Sequence, residues 1–342
     1  MEHGNVLLIY TGGTIGMIED PETGVLIAFD FKHLNEQIPE LSKIKVDLTA
    51  ITLGMPIDSS DMSPSIWQDI AQLIVNEYDK YDGFVVLHGS DTMAYTASAL
   101  SFMLQGLKKP VILTGSQLPI GTIRTDGKEN LITSIEIAAT KDKNQQGLIQ
   151  EVAIYFEYSL YRGNRTTKVS ADAFEAFTSP NFLILAVAGV DIDYNTAAFY
   201  KSNEKELVYH PEMDDRVALM KIFPGCSTAV YQSLFNIDHV KAVVIESFGS
   251  GNVPNNSEFF QLIENYIQNG GIVINITQCT AGSVAQGKYA NSTLFNKIGV
   301  ISGGDLTTEA AITKIMYLLG NYKDPSTIKQ FMQTNIAGEM DE

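Results

Sequence analysis

Short apolar runs recur along the chain, and each one stops at a small polar loop. Residues 6–10 lead into Thr11-Gly12-Gly13-Thr14, residues 84–87 into His88-Gly89-Ser90-Asp91-Thr92, and residues 111–113 into Thr114-Gly115-Ser116-Gln117. Residues 152–156 and 183–187 follow, then 243–245 into Glu246-Ser247-Phe248-Gly249 and 272–276 into Thr277-Gln278-Cys279. Runs of three to five residues, rich in β-branched side chains and bounded by glycine, read as strands buried on both faces. Helical periodicity fills the gaps. Ser63-Pro64 predicts a helix start, serine as N-cap and proline at the first helical position. Ile66, Trp67, Ile70, Leu73 and Ile74 then share one face. Residues 93–104 read as a buried helix, 257–268 as a helix stopped by Asn269-Gly270-Gly271, and 308–319 as one ending at Gly320.

Strands alternating with helices predict crossover units, an α/β class with mainly parallel sheets. Residues 191–216 break the alternation. They carry Asp191, Asp193, Asn195, Lys201, Asn203, Glu204, Lys205 and Glu206, then His210-Pro211. This stretch is read as a linker between an N-terminal domain, 1–190, and a C-terminal domain, 217–342.

Composition narrows the function classes. Of 342 residues, 40 are acidic and 23 basic, giving a formal charge of −17. Such a surface repels phosphate backbones and acidic membranes, which argues against nucleic-acid or membrane-surface binding. No stretch approaches the roughly 20 apolar residues that span a bilayer. The first apolar run is too short for a secretory signal core and lacks a basic leader. Two cysteines, Cys226 and Cys279, do not make a disulfide scaffold in a chain of this length. A reduced, cytoplasmic protein is expected.

In open α/β sheets, ligands sit beyond the carboxyl ends of the strands, so the polar loops belong on one rim. The glycines of Thr11-Gly12-Gly13-Thr14-Ile15-Gly16 allow tight turning, but their spacing is not G-x-G-x-x-G. Gly89-Ser90-Asp91-Thr92 offers two hydroxyls and a carboxylate, a set that equally suits helix capping. His88 is either a base or a packed structural group. Asp58-Ser59-Ser60-Asp61 is either a carboxylate grip or a solvated turn. Tyr161-Arg162-Gly163-Asn164-Arg165-Thr166-Thr167-Lys168 suggests ion pairs, or a lysine placed to exchange a proton with a hydroxyl. The five histidines lie far apart, and neither H-E-x-x-H, C-x-x-C nor G-x-S-x-G occurs; Gly115-Ser116-Gln117-Leu118 lacks its second glycine. What remains is a hydroxyl nucleophile served by lysine and carboxylate, an alternative to the Ser-His-Asp arrangement.

Tyr10-Thr11-Gly12-Gly13-Thr14-Ile15-Gly16, His88-Gly89-Ser90-Asp91-Thr92-Met93 and Leu160-Tyr161-Arg162-Gly163-Asn164-Arg165-Thr166-Thr167-Lys168 together resemble the bacterial L-asparaginases. Asp58-Ser59-Ser60-Asp61-Met62 is most similar to the type I, cytoplasmic branch, and the likeness spans nearly the whole chain. The resemblance implies two α/β domains, the larger one N-terminal, and a homotetramer built as a dimer of dimers. It implies hydrolysis of L-asparagine to L-aspartate and ammonia without metal or organic cofactor. Thr14 would be the nucleophile, with Ser90, Asp91 and Lys168 as the second catalytic cluster. Asp91 would also bind the substrate α-ammonium, while Asp58, Ser59 and Ser60 would hold the α-carboxylate. Asn252 would enter from the neighbouring subunit.

Three departures from the family pattern stand out. Ser90 replaces a usual threonine, and Val25 stands where type I relatives carry a loop tyrosine. Glu246 takes the place of an arginine at a second asparagine site, whose other residues would be Thr277, Gln278 and Cys279. Other expectations stay open: a glutaminase-asparaginase, an ammonia-releasing amidotransferase component, and a non-catalytic amino-acid-binding protein, which would not need Thr14 or Lys168. One methylene separates asparagine from glutamine, a difference worth only about 1–3 kcal/mol in discrimination.

Overall fold

A computed structural model describes residues 4–19, 26–28, 38–287 and 290–341. Val25 lies outside the described residues. The chain forms two compact units, Met1–Pro211 and Glu212–Glu342. In the first, eight strands among the described residues build one sheet. Their spatial order is Ile192–Tyr194, Ala186–Ala188, Ser159–Arg162, Val152–Phe156, Val111–Thr114, Gly83–Leu87, Gly4–Gly12 and Val46–Ile57. The five from Val152–Phe156 to Val46–Ile57 pair in parallel, and the remaining pairings are antiparallel. Every residue of Gly83–Leu87 and of Val152–Phe156 is buried. Both faces are therefore covered, which is why these stretches read as unbroken apolar runs.

Gly4–Gly12 lies between Val46–Ile57 and Gly83–Leu87, so the chain leaves it first to one side and then to the other. That is the topological switch point, where parallel sheets open a crevice at their carboxyl ends. The helix Gly127–Ala139 packs Leu131, Ile135 and Ala138 against Val6, Leu8, Val85 and Ile112. The helix Met93–Met103 is buried along almost its whole length, as its mostly apolar sequence predicts. The expected start at Ser63-Pro64 holds, with a helix over Pro64–Glu77, but Ser63 does not cap it through its side chain. Its hydroxyl sits 2.9 Å from that of Ser65 instead.

In the second unit, the described residues form four parallel strands in the order Val217–Lys221, Ala242–Ser247, Ile272–Thr277 and Ile301–Ser302. The helix Ser257–Gln268 buries Phe259, Phe260, Ile263 and Tyr266 with Val243, Ile245 and Val273. Asn256 caps it, accepting from the Glu258 and Phe259 N–H groups at 3.0 and 3.2 Å.

Two sequence expectations need adjusting. The stretch 191–216, read as a linker, supplies Ile192–Tyr194 to the edge of the large sheet, and its Val208–Tyr209 pairs with Leu104–Gln105. Its polar composition reflects an edge strand and surface connections, and the first unit continues to Pro211. The strand expected over 183–187 begins at Ala186, and Leu183 is exposed.

Candidate active site

Four polar loops follow the carboxyl ends of neighbouring parallel strands. The strand Gly4–Gly12 delivers Thr14, Val46–Ile57 delivers Asp58 to Ser60, Gly83–Leu87 delivers Ser90 and Asp91, and Val111–Thr114 delivers Ser116 and Gln117. Glycine lets their backbones touch. Gly12 and Gly13 have φ of 134° and 85°, where a side chain would be strained. A Cβ on Gly12 would lie 2.0 Å from the Ile57 carbonyl oxygen, and one on Gly13 would lie 2.5 Å from Gly89. A Cβ on Gly89 would in turn strike the Ser59 side chain at 2.6 Å. The Gly13 N–H also donates to Ile57 O at 3.2 Å. The Thr14, Ser59 and Ser90 loops are thus pressed together by positions that admit no side chain.

Thr14 sits half-buried in the short turn Thr14–Gly16. The buried Tyr10 hydroxyl donates to Gly16 O at 3.1 Å, and burial pushes that phenol up to about 12, keeping it a donor. In the next loop the Thr92 hydroxyl donates to Ser59 O at 2.7 Å. Asp58 accepts the Ser60 N–H at 2.8 Å, which holds its carboxyl below the ordinary carboxylate range.

Lys168 reaches the same rim from the short strand Thr167–Lys168, paired with Phe177–Thr178. Its Nζ donates to Ser90 Oγ at 2.8 Å and to Asp91 Oδ1 at 2.6 Å. Lys168 is 15% exposed and Asp91 70% exposed, so the lysine is enclosed while the carboxylate still faces solvent. The other two basic residues of that sequence motif serve the framework. Arg162 pairs with Glu151 at 2.7 Å, both nearly buried, and stacks 4.1 Å from the Phe182 ring centre. Arg165 is buried, 5.1 Å from the same ring.

His88 is a structural group. The Trp67 indole N–H can only donate, so it fixes the Thr96 oxygen as its acceptor at 2.9 Å. The Thr96 hydroxyl then donates to His88 Nε2 at 2.8 Å, leaving Nδ1–H to donate to Gly89 O at 2.6 Å. Complete burial drives the imidazole down to about 4. Its folded value lies below the unfolded value of about 6.5, so the stability it contributes is present above pH 6.5 and lost as pH falls toward 4. Urea denaturation at pH 7 and pH 4.5 should show His88→Gln losing on the order of 2 kcal/mol less on acidification than the wild type.

Sequence reading missed Gln117 and Asp126. The buried Asp126 carboxylate accepts the Gln117 N–H at 2.9 Å and the Leu118 N–H at 3.1 Å. Gln117 Oε1 lies 3.5 Å from Ser90 Oγ, and its Nε2 donates to Ala173 O at 2.8 Å. The only signal was the position of Gly115-Ser116-Gln117 after a buried strand, since its spacing matches no nucleophile motif.

The remaining candidates belong to the C-terminal unit. Asn252 closes a turn with Phe248 through N–H···O bonds of 2.9 and 2.8 Å, and its buried Oδ1 has no hydrogen-bond partner among the described residues. Glu246 is buried, accepting the Thr308 hydroxyl at 2.7 Å and pairing with Lys221 at 3.1 Å. Gln278 donates to the carbonyls of Ile222 and Glu246 at 2.6 and 3.0 Å. Thr277 donates to Gly249 O at 2.6 Å and accepts the Cys279 N–H at 3.0 Å. Cys226 and Cys279 are free thiols.

Comparison with known proteins is consistent along the chain. The family model for the N-terminal domain of asparaginase matches residues 5–200, and that for the glutaminase/asparaginase C-terminal domain matches residues 216–332. L-asparaginase 1 of Escherichia coli (strain K12) is 42% identical over 341 residues, 99% of each chain. An L-asparaginase of Dirofilaria immitis is 37% identical, over 99% of this chain and 61% of its own. The crystal structure of L-asparaginase I from Vibrio cholerae superposes with a TM-score of 0.90 at 39% identity, covering 99% of this chain and all of that one.

Proposed function

Because the chain belongs to the asparaginase family, we propose that it hydrolyses L-asparagine to L-aspartate and ammonia through an acyl-enzyme on Thr14. The Thr14 oxygen attacks the side-chain amide carbonyl, the hydroxyl proton passes to the amide nitrogen, the C–N bond breaks, and the nitrogen leaves as ammonia. Water then adds to the ester carbon, and the ester bond to Thr14 breaks as a water proton returns to the Thr14 oxygen, releasing aspartate. Ser90, its oxygen held by the Lys168 ammonium, assists that water. Asp91 binds the substrate α-ammonium through the oxygen not engaged by Lys168. Ser59 and Ser60, with the backbone of Asp58, hold the α-carboxylate. Fixing both charged ends of the substrate places its amide against the nucleophile and converts collision into positioning.

The observation that carries this reading is the Lys168–Ser90–Asp91 cluster, at 2.8 and 2.6 Å, on the loop whose Gly89 abuts Gly13 beside Thr14. A binding-only protein needs no lysine on a hydroxyl. Asn252 of a neighbouring subunit is placed in the site by this reading, in a cytoplasmic homotetramer built as a dimer of dimers.

The test is release of ammonia and L-aspartate from L-asparagine, with L-glutamine in parallel, over a wide concentration range. Turnover of asparagine is expected, with a hyperbolic dependence on concentration. The hyperbola follows from Glu246, whose buried carboxylate is committed to Thr308 and Lys221 and would repel a second substrate carboxylate. Absence of turnover by folded protein that binds asparagine would favour the amino-acid-binding alternative.

A further inference from the structure

We infer that Gln117 is a positioning residue that sets the rotamer and proton direction of Ser90. The inference rests on the reading of Ser90 as part of the hydrolytic machinery. Hydrogen-bond polarity fixes the order of the groups. The Ala173 carbonyl at 2.8 Å, and that of Ala171 at 3.5 Å, can only accept, so they take the amide N–H groups of Gln117. That leaves Oε1 turned to Ser90, 3.5 Å from its Oγ. Lys168 Nζ donates to Ser90 Oγ at 2.8 Å, which occupies a lone pair of the hydroxyl. The Ser90 proton then has Gln117 Oε1 as its acceptor. The hydrogen bonds run in one direction, from Lys168 through Ser90 and Gln117 to Ala173.

Gln117 is well placed to impose this order because its own position is fixed. Asp126 clamps the backbone N–H groups of Gln117 and Leu118. Asn130, on the helix Gly127–Ala139, donates to Gly115 O at 3.0 Å. Serine lacks the methyl that restricts χ1 in a β-branched residue, so its hydroxyl samples more orientations unless a neighbour selects one. Gln117 is that neighbour, and it also ties the segment following Lys168 to the Ser90 loop through Ala171 and Ala173.

The test is a double-mutant cycle on the full-length enzyme: wild type, Gln117→Leu, Ser90→Thr, and both together, assayed for asparagine hydrolysis. Gln117→Leu should lower kcat about fivefold to tenfold and move KM less than about twofold, the loss of one orienting hydrogen bond. In the Ser90→Thr background, where the methyl restricts the rotamer, the same substitution should cost less than about threefold. An equal loss in both backgrounds accompanied by a lower melting temperature would mean that Gln117 only supports the loop, and the inference fails. An unchanged kcat in Gln117→Leu also overturns it. Wild-type protein that releases no ammonia from asparagine would instead remove the underlying functional reading.

Discussion

Thr14→Ala should lose asparagine hydrolysis by roughly 10³-fold or more, the scale on which removing a nucleophile disables covalent catalysis. The substitution removes one hydroxyl and leaves the glycine-supported turn intact. Gly13 still donates to Ile57 O, and Tyr10 still donates to Gly16 O. Binding should therefore survive, because the groups assigned to the two charged ends of the substrate lie on the Asp58–Ser60 and Ser90–Asp91 loops. Calorimetric titration of Thr14→Ala with L-asparagine should give an affinity within about tenfold of the wild-type KM. A variant that keeps most of its turnover would shift the nucleophile to Ser90.

The second large effect concerns stability. Lys314 and Glu339 form an ion pair at 2.5 Å with neither side chain exposed. Burial pushes the Lys314 amine below its ordinary range, and the Glu339 carboxylate opposes that shift. Lys314 also donates to Thr334 O at 2.7 Å, and Glu339 accepts the Ala337 and Ile336 N–H groups at 2.7 and 3.1 Å. The pair thus fastens the last residues of the chain to the helix Thr308–Asn321. Removing one charge leaves the other buried without compensation, a loss of about 3–5 kcal/mol. Glu339→Gln should lower the urea midpoint of the C-terminal unit accordingly, and Lys314→Met with Glu339→Gln should recover much of the loss. A change below about 1 kcal/mol in Glu339→Gln would contradict this.

The fold was legible wherever burial was two-sided. Residues 257–268 announced themselves through the Asn269-Gly270-Gly271 stop, and residues 93–104 through their mostly apolar composition. The edge strand Val46–Ile57 did not, since its residues alternate between half-buried and exposed. The helix Gly127–Ala139 was hidden because Asn130, Thr133 and Ser134 occupy buried positions on it and dilute the apolar stripe. Pro325–Met332 was overlooked although Asp324-Pro325 is a start signal, with Asp324 accepting the Thr327 N–H at 3.0 Å.

At the site, the residues by themselves identified the loops, and only the family resemblance grouped Ser90, Asp91 and Lys168. The Lys168–Ser90 contact joins residues 78 apart in the chain, and no local pattern encodes it. The same holds for Gln117, whose place depends on a carboxylate nine residues on. His88 was ambiguous because its role is decided by Thr96, which bonds it directly, and by Trp67, which donates to Thr96 from another helix.

The measurement that bears most directly on the chemistry is acid quench of the wild-type enzyme during turnover of L-asparagine, followed by peptide mass mapping. An aspartyl ester on the peptide carrying Thr14, absent from Thr14→Ala, is the expected result. An ester on the peptide carrying Ser90, with Thr14 unmodified, would contradict it.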